Sequence, residues 1–136
     1  MKYLDTGIVI GSILEKELAH KDCLRIMQAL ENKKEHVLFS ASNISEVFYI
    51  LKRENFTLTR IREVLEDLRK ISGIQFADVS IDQTMQAIRL SEKYKVDLTD
   101  ALNYILMKQF QIKYIYAIDS HFDKFSDIQR LTQLKI

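Results

Sequence analysis

The sequence predicts an α/β fold, with a parallel sheet flanked by helices. Three observations carry that reading. Short apolar runs that read as strands alternate with longer segments in which apolar residues recur every three or four positions. One run, KYIYAI at 113–118, is apolar on both faces, as a central parallel strand is. The chain has no proline, only three glycines and no repeat, so nothing marks a linker, and the 136 residues read as a single domain, 1–136.

The first strand is KYL at 2–4. A mostly helical stretch follows from Ile8 to Asn32, broken near Lys16–His20, with Leu24, Met27 and Leu30 at helical spacing. HVLFSA at 36–41 is the second strand. The helix after it has the clearest stripe in the chain, Ile44, Val47, Phe48 and Leu51. Residues 59–71 repeat the pattern with Ile61, Val64, Leu65 and Leu68, and Gly73 is expected to stop that helix through left-handed dihedrals. IQFADV at 74–79 is the third strand, followed by a helix over 82–94 capped by Asp82. A further helix runs from Leu98 to Phe110, with Ala101, Leu102, Ile105 and Leu106 inward. The strand at 113–118 comes next. The tail, 122–136, holds a turn and a small edge strand around Gln129–Thr132.

Composition excludes more than it identifies. Apolar residues at 47% and charged residues at 29% describe a globular chain, and no apolar run is long enough to span a bilayer. The amino terminus has no signal-peptide pattern, and a single cysteine, Cys23, permits neither an internal disulfide nor a cysteine-cluster zinc site. The expected location is the cytosol, away from membranes. Twenty basic against nineteen acidic residues leave nucleic acid neither advertised nor forbidden as a partner.

In a doubly wound sheet, ligands bind beyond the carboxyl ends of the strands, where strand order reverses. Two strands end in aspartate there, Asp5 in YLD and Asp119 in YAID. Two helices open with an acid, Glu46 in SNISEVF and Asp100 in DLTDALN. Each has a plain structural role open to it. Asp5 or Thr6 fits a helix N-cap, and Asn43 with Glu46, or Asp97 with Asp100, has capping-box spacing. Yet Glu46 and Asp100 lie off their helices' apolar stripes. If the first and last main strands are neighbours, all four acids converge on one cleft. Clustered carboxylates repel one another, and Mg²⁺ or Mn²⁺ relieves that repulsion through oxygen ligands. His20 and His36 lack metal-ligand spacing, and His121 reads as an exposed turn residue near Asp119.

The series YLDTGIVI, SNISEVFYIL, DLTDALNYIL and YAIDSHFDKF resembles the PIN-domain nucleases, especially the VapC-type toxin ribonucleases of toxin–antitoxin pairs. The four motifs stand in family order over residues 3–125. The resemblance implies a PIN-like three-layer fold and Mg²⁺- or Mn²⁺-dependent hydrolysis of RNA. It puts the family's acids at Asp5, Glu46, Asp100 and Asp119. Asp5, Asp100 and Asp119 are then the expected metal ligands, with Thr6, Asp97 and Asp123 behind them as supporting side chains. It also implies an antitoxin protein laid across the cleft and a homodimer. Two positions depart from the family's pattern: Gly7 stands where asparagine is usual, and Ala117 where threonine or serine is usual. Each removes a hydrogen-bonding side chain.

Two other classes stay open at this level. One is a phospho-acceptor signalling domain with an acidic Mg²⁺ pocket and Asp78 as acceptor. The other is a catalytically weak binding module on the same fold, which Gly7 and Ala117 keep in play.

Overall fold

The computed structural model describes all residues, 1–136. Its centre is a five-stranded sheet in the order β3-β2-β1-β4-β5, with every neighbouring pair parallel. The strands are β1 (Lys2–Leu4), β2 (Val37–Ser40), β3 (Ile74–Ala77), β4 (Tyr114–Tyr116) and β5 (Gln129–Leu131). Six helices connect them: α1 (Thr6–Ile13), α2 (His20–Glu31), α3 (Ala41–Arg53), α4 (Leu58–Arg69), α5 (Ile81–Tyr94) and α6 (Leu98–Gln109). A 3-10 turn at Ser120–Lys124 precedes the edge strand β5.

Strand side chains alternate between two cores, which makes the molecule three-layered. Leu4, Val37, Phe39 and Tyr116 pack with α1–α4, whereas Tyr3, Leu38 and Ile115 pack with α5 and α6. Strand order runs outward from β1 through β2 to β3, then restarts on the other side at β4. The switch point therefore falls between β1 and β4, where Tyr3 lies beside Ile115. The adjacency expected of the first and last main strands is present.

Local chemistry moves several boundaries. Helix α1 starts at Thr6 rather than Ile8, because Asp5 caps it by accepting from the Gly7 amide at 3.3 Å. The inward face of α2 is Cys23, Ile26, Met27 and Leu30, and Leu24 is turned outward. Close packing at Gly11 sets that rotation: a Cβ there would lie 2.5 Å from the Cys23 sulfur. The capping box of α3 pairs Ser40 with Asn43, not Asn43 with Glu46, so Glu46 belongs to the second turn. Likewise Ser80 and Gln83 cap α5, and Asp82 sits inside its first turn. Gly73 has no positive φ. Its place is dictated by crowding instead, since a Cβ would meet the Leu30 and Glu35 carbonyl oxygens at 2.5 and 2.6 Å. Strands β3 and β4 are shorter than the apolar runs that predict them, because pairing ends before the runs do.

Candidate active site

The short β1 delivers Asp5 directly to the switch point, where its backbone N–H donates to the Tyr116 carbonyl at 2.9 Å. Asp119 lies three residues past β4 and caps the 3-10 turn by accepting from the His121 amide at 2.8 Å. Asp100 stands in the first turn of α6, where the positive end of the helix dipole favours a carboxylate. Asp97 is the N-cap residue of α6 but makes no capping hydrogen bond. The box suggested by its spacing with Asp100 is therefore not formed. Glu46 comes from the second turn of α3.

These elements bring Asp5, Glu46, Asp97, Asp100 and Asp119 to one cavity of about 510 Å³, together with Glu17. No lysine or arginine lines it. A larger hollow beneath α6, near Lys108 and Asp127, lies away from these acids and holds none of the motif residues. The acidic cleft is the chemically distinctive one.

Behind Asp5 runs a buried chain of amides that sequence reasoning missed. The Ser40 backbone N–H donates to Asn43 Oδ1 at 2.9 Å, and the Tyr3 hydroxyl donates to the same oxygen at 2.8 Å. A backbone N–H can only donate, so it fixes which way the Asn43 amide faces. Asn43 Nδ2 must then donate, to Thr6 Oγ1 and to Asn103 Oδ1, both at 3.1 Å. That leaves Asn103 Nδ2 to donate to Asp5 Oδ1 at 3.2 Å. The Gly7 amide holds the other oxygen. Each Asp5 oxygen thus has one fixed donor and spare acceptor capacity beside the cavity. Thr6, Asn43 and Asn103 are all buried, and no buried side-chain polar atom lacks a partner. The available signal was faint: a lone asparagine, Asn103, among the apolar positions of DALNYIL.

The electrostatics are unfavourable without a cation. Burial first, then the charges of Asp100 and Glu46, push the Asp5 carboxyl up to about 8, against the pull of the Gly7 amide. Asp100 is raised to about 6 by burial and by Asp119, Glu46 and Asp97, with His121 pulling the other way. His121 is half-exposed, as a turn residue should be, yet it also bridges the acids. Its Nδ1 lies 3.1 Å from Asp119 Oδ2 and 3.5 Å from Asp100 Oδ2. One ligand atom from each of Asp100, Asp119 and His121 falls within 4.8 Å of the others. A donor set dominated by carboxylate oxygen, with no basic side chain lining the cavity, suits a hard divalent cation.

Three of the residues singled out from the sequence do not line the cleft. Asp123 is held outside by a two-point pair with Arg130, both contacts at 3.0 Å. The Arg130 hydrogen bond, working against slight desolvation, lowers its carboxyl pKa. Asp78 is exposed beyond the edge strand β3 and lines a different depression, apart from the acidic pocket. Thr6 is buried behind Asp5 as the acceptor of the Asn43 amide.

Known proteins resemble this chain in sequence and in fold. The family model described as PIN domain matches residues 2–128. Ribonuclease VapC1 of Aquifex aeolicus (strain VF5) is 26% identical over 132 residues, covering 96% of this chain and 88% of that protein. The crystal structure of VapC20 from Mycobacterium tuberculosis, described as a Sarcin-Ricin loop cleaving toxin, superimposes with a TM-score of 0.79 at 18% identity. That match covers 94% of this chain and 97% of VapC20. A toxin–antitoxin complex from Klebsiella pneumoniae matches with a TM-score of 0.63 at 18% identity, over 100% of both chains. VapBC2 from Rickettsia felis, bound to a DNA fragment from its promoter, matches with a TM-score of 0.67 at 14% identity, over 96% of this chain and 98% of that one.

Proposed function

This chain belongs to the PIN-domain family, and on that premise we propose that it is a Mg²⁺- or Mn²⁺-dependent endoribonuclease, the toxin of a VapC-like toxin–antitoxin pair. The observation that carries the reading is the convergence of Asp5, Glu46, Asp100 and Asp119 on one cavity that no lysine or arginine lines.

Asp5, Asp100 and Asp119 are the side chains that would hold the cation, and Glu46 completes the site or orients the attacking water. The bound ion would supply activation of water and stabilisation of the leaving oxygen. The protein's own contribution is positional. Asn103 and the Gly7 amide fix the Asp5 carboxylate, while the His121 amide fixes Asp119. Glu46 is held on α3 at the cavity wall. In-line attack on phosphorus then leaves a 5′-phosphate and a 3′-hydroxyl. Gly7 lacks the usual side chain, and its backbone N–H donates to Asp5.

The antitoxin is proposed by likeness to the Klebsiella and Rickettsia complexes, which their descriptions give as a toxin–antitoxin complex and VapBC2. Arginine or lysine from such a peptide would satisfy the acidic cleft in place of metal. A homodimer acting in the cytosol completes the reading. The test is co-expression with the neighbouring reading frame, followed by sizing and RNA cleavage assays with Mn²⁺ and with chelator. The expected result is a complex that is inert until the partner is removed, after which RNA is cut only with metal. A chain that purifies alone, harms no host and leaves RNA intact in Mn²⁺ contradicts the proposal.

A further inference from the structure

The acidic cleft has no cationic side chain of its own lining it, so it cannot hold the phosphates that flank the one being cut. A neighbouring depression of about 630 Å³ supplies what is missing. It shares Glu46 and Ile50 with the cleft and is lined further out by Tyr49, Lys52 and Arg53. These residues lie along one side of α3. Glu46, Tyr49 and Arg53 follow at i, i+3 and i+7, spanning about 10 Å of helix axis. The opposite side buries Val47 and Leu51.

Tyr49 is 64% exposed, more than any other aromatic residue of the chain. Phe48 braces it edge-on, with ring centroids 5.3 Å apart and planes at 87°. Lys52 and Arg53 are exposed and form no ion pair, and Glu54, the adjacent acid, is taken by Lys16 at 2.9 Å. A plainer role for the two cations exists, since basic residues in the last turn of a helix complement its carbonyl end. That role leaves the exposed ring one turn earlier unexplained.

Taking the ribonuclease reading as its basis, we infer that Tyr49, Lys52 and Arg53 form a subsite for the single-stranded RNA next to the cut phosphate. Tyr49 stacks on an unpaired base, and Lys52 and Arg53 contact the backbone phosphates on either side of it. Stacking accepts any base, so this subsite contributes affinity and strand register rather than sequence choice. It also selects unpaired RNA, because only a splayed base reaches the ring.

The experiment measures binding of a fluorescein-labelled single-stranded RNA 12-mer to the whole protein in chelator, by anisotropy over a range of salt. Tyr49→Ala is expected to weaken binding about tenfold without changing the salt slope, and Tyr49→Phe to restore it. The double change Lys52→Ala with Arg53→Ala is expected to weaken binding and to flatten the slope of log Kd against log salt by about 1.4, for two phosphate contacts at about 0.7 each. The Mn²⁺-induced rise in melting temperature is expected to be the same in all variants as in wild type, which separates this subsite from the metal site. Unchanged affinity and salt slope in the variants overturn the subsite and leave the ribonuclease reading standing. RNA binding unchanged but association with the co-expressed partner lost overturns it in favour of a protein-docking surface. Wild-type protein that binds RNA through these residues yet never cuts it supports the subsite and sinks the cleavage reading.

Discussion

The two ends of the sheet each bury a carboxylate, and they treat it in opposite ways. At the amino end, Glu35 accepts from Lys2 Nζ at 2.5 Å, from the Tyr116 hydroxyl at 2.5 Å and from the His36 amide at 3.0 Å. Burial pulls its carboxyl up, but those donors outweigh burial and hold it below its ordinary value. At the carboxyl end, Asp5 is as little exposed, 6% against 8%, and is enclosed more deeply by the surrounding protein. Its donors are two neutral amides, and its neighbours are acids. The same chain that closes a buried charge with lysine at one end leaves six carboxylates without one at the other. The difference teaches that the acidic end is not a packing defect. Its amide scaffold is complete and no lysine or arginine lines it, an arrangement that suits a bound cation.

Reversing the charge logic at the carboxyl end gives the largest expected effect. Asp5→Asn keeps the shape of the side chain and removes the charge, so RNA cleavage in Mn²⁺ should fall by about 10³-fold. The metal-free fold should change little in stability, because relief of the repulsion is offset by one lost hydrogen bond: the new amide nitrogen cannot accept from the Gly7 amide or from Asn103 Nδ2. Cleavage at the wild-type rate by Asp5→Asn would remove Asp5 from the mechanism.

At the amino end the expected pattern is the inverse. Glu35→Leu takes the counter-charge from Lys2 and leaves Lys2 and the Tyr116 hydroxyl only the Lys135 carbonyl to donate to, which should cost about 3 kcal/mol and lower the melting temperature by about 10 °C. The Mn²⁺ affinity of the folded protein should not move. A loss of metal affinity there would show that the two ends are coupled and would break the contrast.

A smaller effect is expected from the scaffold behind Asp5. Asn103→Leu removes the donor to Asp5 Oδ1 and interrupts the chain that starts at the Ser40 amide. Titration calorimetry should show Mn²⁺ binding weakened about tenfold, with a stability loss of about 1 kcal/mol. Unaltered Mn²⁺ affinity would reduce the amide chain to core packing. The least effect belongs to Asp123→Asn, which removes an exposed pair with Arg130 outside the cleft and should leave both cleavage and metal binding within about twofold.

The elements and the convergence of the four acids were legible because both follow from pattern along the chain. Alternating strands and helices force a parallel sheet, and a parallel sheet places the residues after β1 and β4, and the start of α3, at one rim. What the pattern could not supply was contact across space. Asn43 reads equally well as a helix cap until Tyr3, Thr6 and Asn103 are seen around it. Gly73 reads as a helix stop until the carbonyls of Leu30 and Glu35 are found against it. His121 reads as a turn residue, and only the turn's geometry points its ring at Asp100 and Asp119. Asp123 shows the converse error, since the motif drew it toward the cleft and Arg130 holds it away.

The comparison between the two ends rests on Asp5 having no cationic partner in the protein, a place the proposed metal would fill, and thermal melting of the wild-type protein against pH, in chelator and in Mn²⁺, tests this most directly. Asp5 is raised in the fold from an ordinary 3.8 to about 8, so between those values the native state holds a proton that the unfolded chain has released. Stability from this group is therefore complete below about pH 4 and is lost as pH rises through 8. In chelator the melting temperature should fall from pH 5 to pH 8 by roughly 5–10 °C, taking ~2 kcal/mol as the share that survives relaxation of the site. In millimolar Mn²⁺ the fall should disappear, and the curves should separate most at pH 8, where the carboxylates are ionised and bind metal best. Curves that coincide at pH 8 with and without Mn²⁺ would contradict the account.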